Sequence, residues 1–132
     1  MNGDKFVVDT DFALHYINRT PVAGQFIKER RKADFYVSVV TRIEMLSYHA
    51  LELEDEIAIH HFLEDVTVVP LTEELEKAVV SLRRATRRKL ADSIIAATAV
   101  RLGATLVTAD KRLAKTTYPG LKVERVVLEN HA

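Results

Sequence analysis

At 132 residues the chain has room for one hydrophobic core and not a second, so a single domain spanning residues 1–132 is expected. Its 48% hydrophobic and 29% charged residues are those of a globular chain. Its 19 basic residues balance 19 acidic ones, so any nucleic-acid surface must be a local one. Cysteine is absent, which excludes disulfides, thiolate metal centres and cysteine nucleophiles together and suits a reducing cytoplasm.

Met1-Asn2-Gly3-Asp4 lacks the basic segment leading into an apolar one that marks a secretory signal. The longest apolar run, residues 94–100, is far shorter than the roughly 20 residues of a membrane span. A cytoplasmic domain with no membrane contact is expected. Residues 5–9 (KFVVD) predict a strand buried on both faces, because Phe6, Val7 and Val8 are consecutive. A short helix over 12–18 follows. Thr20 is placed to cap a second helix, with Pro21 at its favoured first position, running to about residue 32. Residues 35–40 predict the second strand. Thr41 opens a helix through about residue 51, and residues 53–63 predict another, with the acidic stretch 52–56 as a solvated face.

Residues 66–69 predict a short third strand closed by Pro70. Thr72 then caps a long helix through about residue 88, with Leu75, Val79 and Leu82 at helical spacing. A helix over 91–102 stops at Gly103, the residue type that most easily turns left-handed at a helix end. Residues 104–108 (ATLVT) predict a fourth strand, and 122–127 a fifth after the Pro119-Gly120 turn. Strands alternating with helices in this way imply right-handed crossovers. The expected fold is a three-layer α/β/α sandwich around a mostly parallel sheet of four to five strands. Sites in such sheets form beyond the carboxyl ends of the strands.

Four acids lie at strand ends or helix starts: Asp9, Glu44, Asp92 and Asp110. Each has a structural explanation beside a functional one. Asp9 ends an apolar strand and can cap the next helix, and Glu44 fits a capping box with Thr41. Asp92 begins a helix of small and apolar residues, where the dipole favours it, yet a carboxylate buried there needs hydrogen bonds, a cation or a metal. Asp110 is a turn or cap residue that can pair with Lys111 or Arg112. Separations of 35, 48 and 18 residues exclude a linear ligand motif, so only the fold can assemble them. Together they would put a formal charge of −4 in one cleft, which calls for cations. Oxygen-only ligands favour Mg²⁺ or Mn²⁺ over zinc, and such ions beside a phosphodiester can activate water and stabilise the leaving oxygen.

The stretches VVDTDFAL, SVVTRIEML, LRRATRRKLADSIIAATAVRLGATLVTADKRL and YPGLKVERV resemble the PIN-domain nucleases, and in particular the VapC-type toxins of toxin–antitoxin pairs. The resemblance covers essentially the whole chain, with ADSIIAATA its most specific part. It implies an endoribonuclease that leaves 3′-hydroxyl and 5′-phosphate ends, with Mg²⁺ or Mn²⁺ held by the four acids. It also implies an RNA substrate, a cognate antitoxin that blocks the site, and a homodimer. Thr108 stands where the family commonly has a hydroxyl residue two before the last acid. Asp11 stands where Asn or Ser is frequent, and is an additional polar group ranked below the four. Leu113 replaces a frequent aromatic residue and Ala91 a frequent proline.

Arg83, Arg84, Arg87, Arg88 and Lys89 put five cations into seven positions just before Asp92, either as a solvated helix end or as a phosphate-binding ridge. Lys28, Arg30, Arg31 and Lys32 read as an exposed helix end. His15, His49, His60, His61 and His131 form no ligand pair, which disfavours a metal-free, histidine-driven ribonuclease. The apolar content around Tyr48, Leu51, Ile59, Phe62 and Leu63 exceeds what one covering layer needs, and the sequence does not separate interface from core there. Two other functions compete. Asp9-Thr10-Asp11 echoes the paired aspartates of haloacid-dehalogenase-like phosphatases, although Ala13 departs from that pattern. A catalytically silent PIN-like module that binds RNA or a partner is the other.

Overall fold

The computed structural model describes residues 3–128. β1 (Lys5–Val8) leads into α1 (Thr10–Ile17) and α2 (Pro21–Glu29), and β2 (Asp34–Ser38) into α3 (Val39–Leu46) and α4 (Leu53–Asp65). β3 (Thr67–Val69) precedes α5 (Glu73–Thr86) and α6 (Leu90–Leu102). β4 (Thr105–Thr108) is followed by α7 (Lys111–Ala114) and β5 (Lys122–Arg125). Every pairing is parallel and the order is β3-β2-β1-β4-β5. The chain steps outward from β1 to β3 and then returns to lay β4 on the other side of β1. The connections leaving β1 and β4 therefore diverge, which opens a crevice at their carboxyl ends.

β1 explains its own apolar run. Phe6 and Val8 join Phe12, Phe26, Met45, Ile59 and Phe62 on one face of the sheet, while Val7 joins Leu75, Val79, Leu82, Ile95 and Leu106 on the other. A strand buried on both faces has no polar side to show. α6 is buried without a break from Ser93 to Ala99, as its small residues allow close packing between the sheet and α5. This is the expected three-layer sandwich, with five strands. Ile59 and Phe62 belong to the core, whereas Tyr48 is exposed.

Several boundaries differ from expectation, and the largest shift is at α3. Strand β2 ends at Ser38, whose hydroxyl accepts the Val40 amide, and the helix begins at Val39 rather than Thr41. The β-branched pair Val39-Val40 favours strand locally, and the buried serine cap overrides that preference. Thr41 thus lies inside the first turn, and the Thr41–Glu44 capping box does not form. Helix α3 ends at Leu46, not near residue 51. Thr20 makes no side-chain cap bond; its hydroxyl lies 3.0 Å from His15 Nδ1. α2 stops at Glu29, short of residue 32. Arg30 beyond it is not simply an exposed end, because its guanidinium stacks 3.6 Å over Phe26 and pairs with Glu124 at 3.2 Å. α5 ends at Thr86, two residues early, with Arg87 left-handed at φ 58°. The short helix α7 has no counterpart in the expected elements. His131 lies outside the described residues. Among the described residues no helix is long and apolar enough to cross a membrane.

Candidate active site

Asp9 and Asp110 follow neighbouring parallel strands, which brings them to one end of the sheet. The Asp9 amide donates to Val107 O at 3.1 Å, continuing the ladder one step beyond Val8. The Asp9 carboxylate caps α1 through Oδ1, which accepts the Phe12 amide at 2.8 Å, and its Oδ2 accepts the Thr108 hydroxyl. Thr108 Oγ1 in turn accepts the Asp110 amide at 3.0 Å. One buried hydroxyl therefore ties the two strand-end acids together. Asp110 caps α7, with Oδ1 accepting the amides of Arg112 at 2.7 Å and Leu113 at 3.1 Å. Both cap explanations considered for these acids hold, and neither removes them from the crevice.

Glu44, freed of the capping role, projects from the second turn of α3 toward α1. Its Oε1 accepts the Thr10 hydroxyl at 2.5 Å. Thr10 Oγ1 also lies 3.1 Å from the buried Thr41 Oγ1. A hydroxyl has one proton, and a carboxylate can only accept, so Thr10 gives its proton to Glu44 and Thr41 supplies the proton between the two threonines. Neither Thr10 nor Thr41 stood out in the sequence as part of the site. The signal was Thr10's position directly after Asp9.

Electrostatics join the four acids into one group. Burial pushes Asp9 up to about 6, against which the Thr108 and Phe12 hydrogen bonds work, with the charges of Asp11 and Asp92 adding to the rise. Asp92 is raised as well, first by burial; Lys89 opposes this, Asp110 and Glu44 reinforce it, and Arg88 opposes it. Asp92 thus senses Glu44 and Asp110 and acts in turn on Asp9. Asp11 is exposed, stands 3.9 Å from His15, and lines a separate groove with Leu14, Tyr48 and Leu51. It touches this site only through its charge on Asp9.

The opening is a cavity of about 570 Å³ lined by Asp92, Asp110, Lys89, Lys111, Arg112 and Lys115. Two acids face four cations there, so the wall formed by the α5–α6 connection and α7 is basic. A second cavity of about 470 Å³ is lined by Val80, Arg83, Arg84, Arg87 and Arg88. Lys111 and Arg112 stood out in the sequence only as partners of Asp110, and Lys115 not at all, since nothing marked the four-residue helix that carries the first two and ends at the third.

Among the described residues no three His, Asp or Glu side chains stand close enough to enclose one ion. A closed zinc-like cage is therefore not what these residues build. Their chemistry is all carboxylate oxygen, and Asp92, held up first by burial, feels the charges of Asp110 and Glu44 with Lys89 and Arg88 opposing them. That donor set fits Mg²⁺ or Mn²⁺, since Mg²⁺ usually keeps several waters and takes only one or two protein carboxylates. Asp92 and Asp110, which face the cavity, are the residues best placed to supply them.

The sequence model of the PIN domain matches residues 6–117. No curated protein matches the sequence. Solved structures share the fold at low identity. One is VapBC2 from Rickettsia felis bound to a promoter DNA fragment, with TM-score 0.77, 19% identity, and coverage of 92% of this chain and 98% of that one. Another is DNA-bound VapBC from Salmonella typhimurium, with TM-score 0.76, 20% identity, and coverage of 92% and 98%. A third is a toxin–antitoxin complex from Klebsiella pneumoniae, with TM-score 0.70, 22% identity, and coverage of 87% and 93%.

Proposed function

The chain belongs to the PIN-domain family, and from that premise we propose that it is a Mg²⁺- or Mn²⁺-dependent endoribonuclease acting as the toxin of a toxin–antitoxin pair. The observation that carries the reading is the joining of Asp9 and Asp110 through Thr108 at the carboxyl ends of β1 and β4, with Asp92 lining the same cavity as Asp110 and Glu44 acting on Asp92 through its charge. A divalent ion bound there would supply charge neutralisation and a more acidic water for in-line attack on phosphorus. Water adds to phosphorus and the bond to the 3′ oxygen breaks, leaving a 3′-hydroxyl and a 5′-phosphate.

The chain's own residues divide the remaining work. Asp92 and Asp110 present oxygens to the cavity. Asp9 is fixed behind them by Thr108 and the α1 amide, and Glu44 is held in place by Thr10. Lys89 and the α7 cations offset the charge of the nucleic-acid backbone beside the acids. The toxin role and the protein antitoxin are supported by the family and by the shared fold with chains from VapBC complexes, and a homodimer in the cytoplasm belongs to the same reading.

The test is cleavage of a mixed RNA pool with Mg²⁺ or Mn²⁺, with EDTA, and by an Asp9→Asn variant. Cleavage is expected only with metal, and the variant should lose activity by roughly 100-fold or more. Cleavage that survives chelation or the substitution would refute the mechanism. RNA binding without cleavage in the presence of either metal would leave a silent binding module. Hydrolysis of p-nitrophenyl phosphate would revive a phosphatase, although Asp11 pairs with His15 rather than facing the crevice.

A further inference from the structure

The turn between α5 and α6 combines three features that a solvated helix end does not require. Arg87 is left-handed at φ 58°, a conformation that glycine adopts freely and that other L-residues disfavour. Arg19, at the end of α1, is the other such residue among those described, but it lines neither basic cavity. The turn is also held rigidly. The Arg87 amide donates to Arg83 O at 2.8 Å, and Arg88 O accepts from both Arg83 Nε at 3.3 Å and Ser93 Oγ at 3.2 Å. Finally, Arg88 Nε is buried with no hydrogen-bond partner among the described residues. A buried guanidinium nitrogen left unpaired costs stability, so the Arg88 side chain is held in place at an expense that a freely solvated helix end would avoid.

These residues join the two cavities. Arg88 lines the second one and its charge acts on Asp92, while the next residue, Lys89, lines the first beside Asp92 and Asp110. Cations therefore run from Lys111 and Arg112 on α7 and Lys115 at its end, past the acids at Lys89 and Arg88, to Arg83, Arg84 and Arg87. The chain as a whole is neutral, so this is segregation of charge and not surplus. Acidic residues gather elsewhere, with Glu52, Glu54 and Glu56 exposed at the start of α4.

We propose that this band is a track for the phosphates of a single RNA strand, which leaves the acidic cavity over the α5–α6 turn with Arg88 and Arg87 gripping the backbone next to the cleaved bond. The assignment rests on the nuclease reading and adds the path of the substrate. Arg87 lines the second cavity from a glycine-like position, so stability is given up where the proposed phosphate contact lies. Arginine suits the role, since its planar fork pairs with phosphate oxygens through two hydrogen bonds.

Arg87→Gly separates this from a structural role, because the two make opposite predictions. Binding of a fluorescently labelled oligouridylate is measured in EDTA across a salt series, beside thermal unfolding of the same protein. The track requires Arg87→Gly to raise Tm by about 3 °C, through relief of the left-handed arginine. It also requires RNA binding about fivefold weaker, with the salt dependence shallower by about 0.7 per lost phosphate contact. Arg84→Gln, on the exposed last turn of α5 and outside the hydrogen bonds that hold the turn, should reduce the salt dependence by about the same amount while the circular dichroism stays unchanged. Unchanged affinity and salt dependence in both variants would overturn the track. So would normal RNA binding combined with lost affinity for a protein antitoxin, which would assign the arginines to that partner. Because binding is read with metal chelated, a wild-type chain that grips RNA through these arginines but never cuts it would sink the nuclease reading and leave the track standing.

Discussion

Asp9 is 5% exposed, accepts two hydrogen bonds, and still ionises with difficulty, because burial and neighbouring carboxylates outweigh those bonds. Its folded-state value of about 6 lies above the ordinary 3.8. The folded metal-free protein therefore holds this proton more tightly than the unfolded chain does. Stability from that group is fully present below about pH 4 and is lost as pH rises through about 6, a change on the order of 3 kcal/mol if Asp9 acts alone. Urea denaturation in EDTA should show wild type weakening between about pH 4 and pH 7. Asp9→Asn keeps an acceptor for the Phe12 amide and should flatten much of that slope, with the remainder belonging to Asp92, whose shift has the same sign. An unchanged slope in Asp9→Asn would mean that Asp9 is not the strained acid. The strain has a functional sense: a carboxylate that is unfavourable when bare gains most from a bound cation.

The elements place these acids, and α3 shows how sensitively. Ser38 ends β2 and caps α3 in one residue, and its fully buried hydroxyl holds the Val40 amide at 3.1 Å. Had the helix opened at Thr41, Glu44 would have been consumed by a capping box. Opening at Val39 instead turns it toward Thr10. Ser38→Ala should destabilise the fold by about 1 kcal/mol through the lost cap, and should weaken Mn²⁺ affinity several-fold by loosening the turn that carries Glu44. Loss of stability with unaltered metal affinity would show that Glu44's position does not depend on this cap. The same junction marks the limit of sequence reading. The strands, the burial of β1, the Gly103 stop and the acids at the ends of β1 and β4 follow from periodicity and apolar content, which the core enforces over many residues. The start of α3, the end of α5 and the existence of α7 hang on one or two hydrogen bonds each, and such local decisions leave little trace in composition. The roles of Thr10, Thr41 and the α7 cations went unread for the same reason, since they arise from contacts across 31 to 34 residues or from a helix of one turn.

At the scale of the molecule, neutrality conceals a division of labour. A net charge of zero coexists with a cluster of mutually repelling acids, and Lys89 and Arg88 close by oppose the repulsion at Asp92 without removing it. Folding has therefore brought together charges that an unfolded chain keeps apart, so a cation that binds the folded form should stabilise the whole domain. Linkage gives about 2.7 kcal/mol when free metal is 100-fold above its dissociation constant, which for a domain of this size raises Tm by roughly 6 °C. Differential scanning calorimetry with and without Mn²⁺ should show that rise in wild type and little of it in Asp92→Asn or Asp110→Asn. Asp11→Asn removes an acid of equal charge that lies outside the cavity, and it should keep the full response. If Asp11→Asn loses the response as completely as Asp92→Asn does, the stabilisation comes from general screening of negative charge and not from a site. If only the cavity acids matter, Asp92 and Asp110 form a cation-binding site, and the fold tolerates their repulsion because that site binds metal.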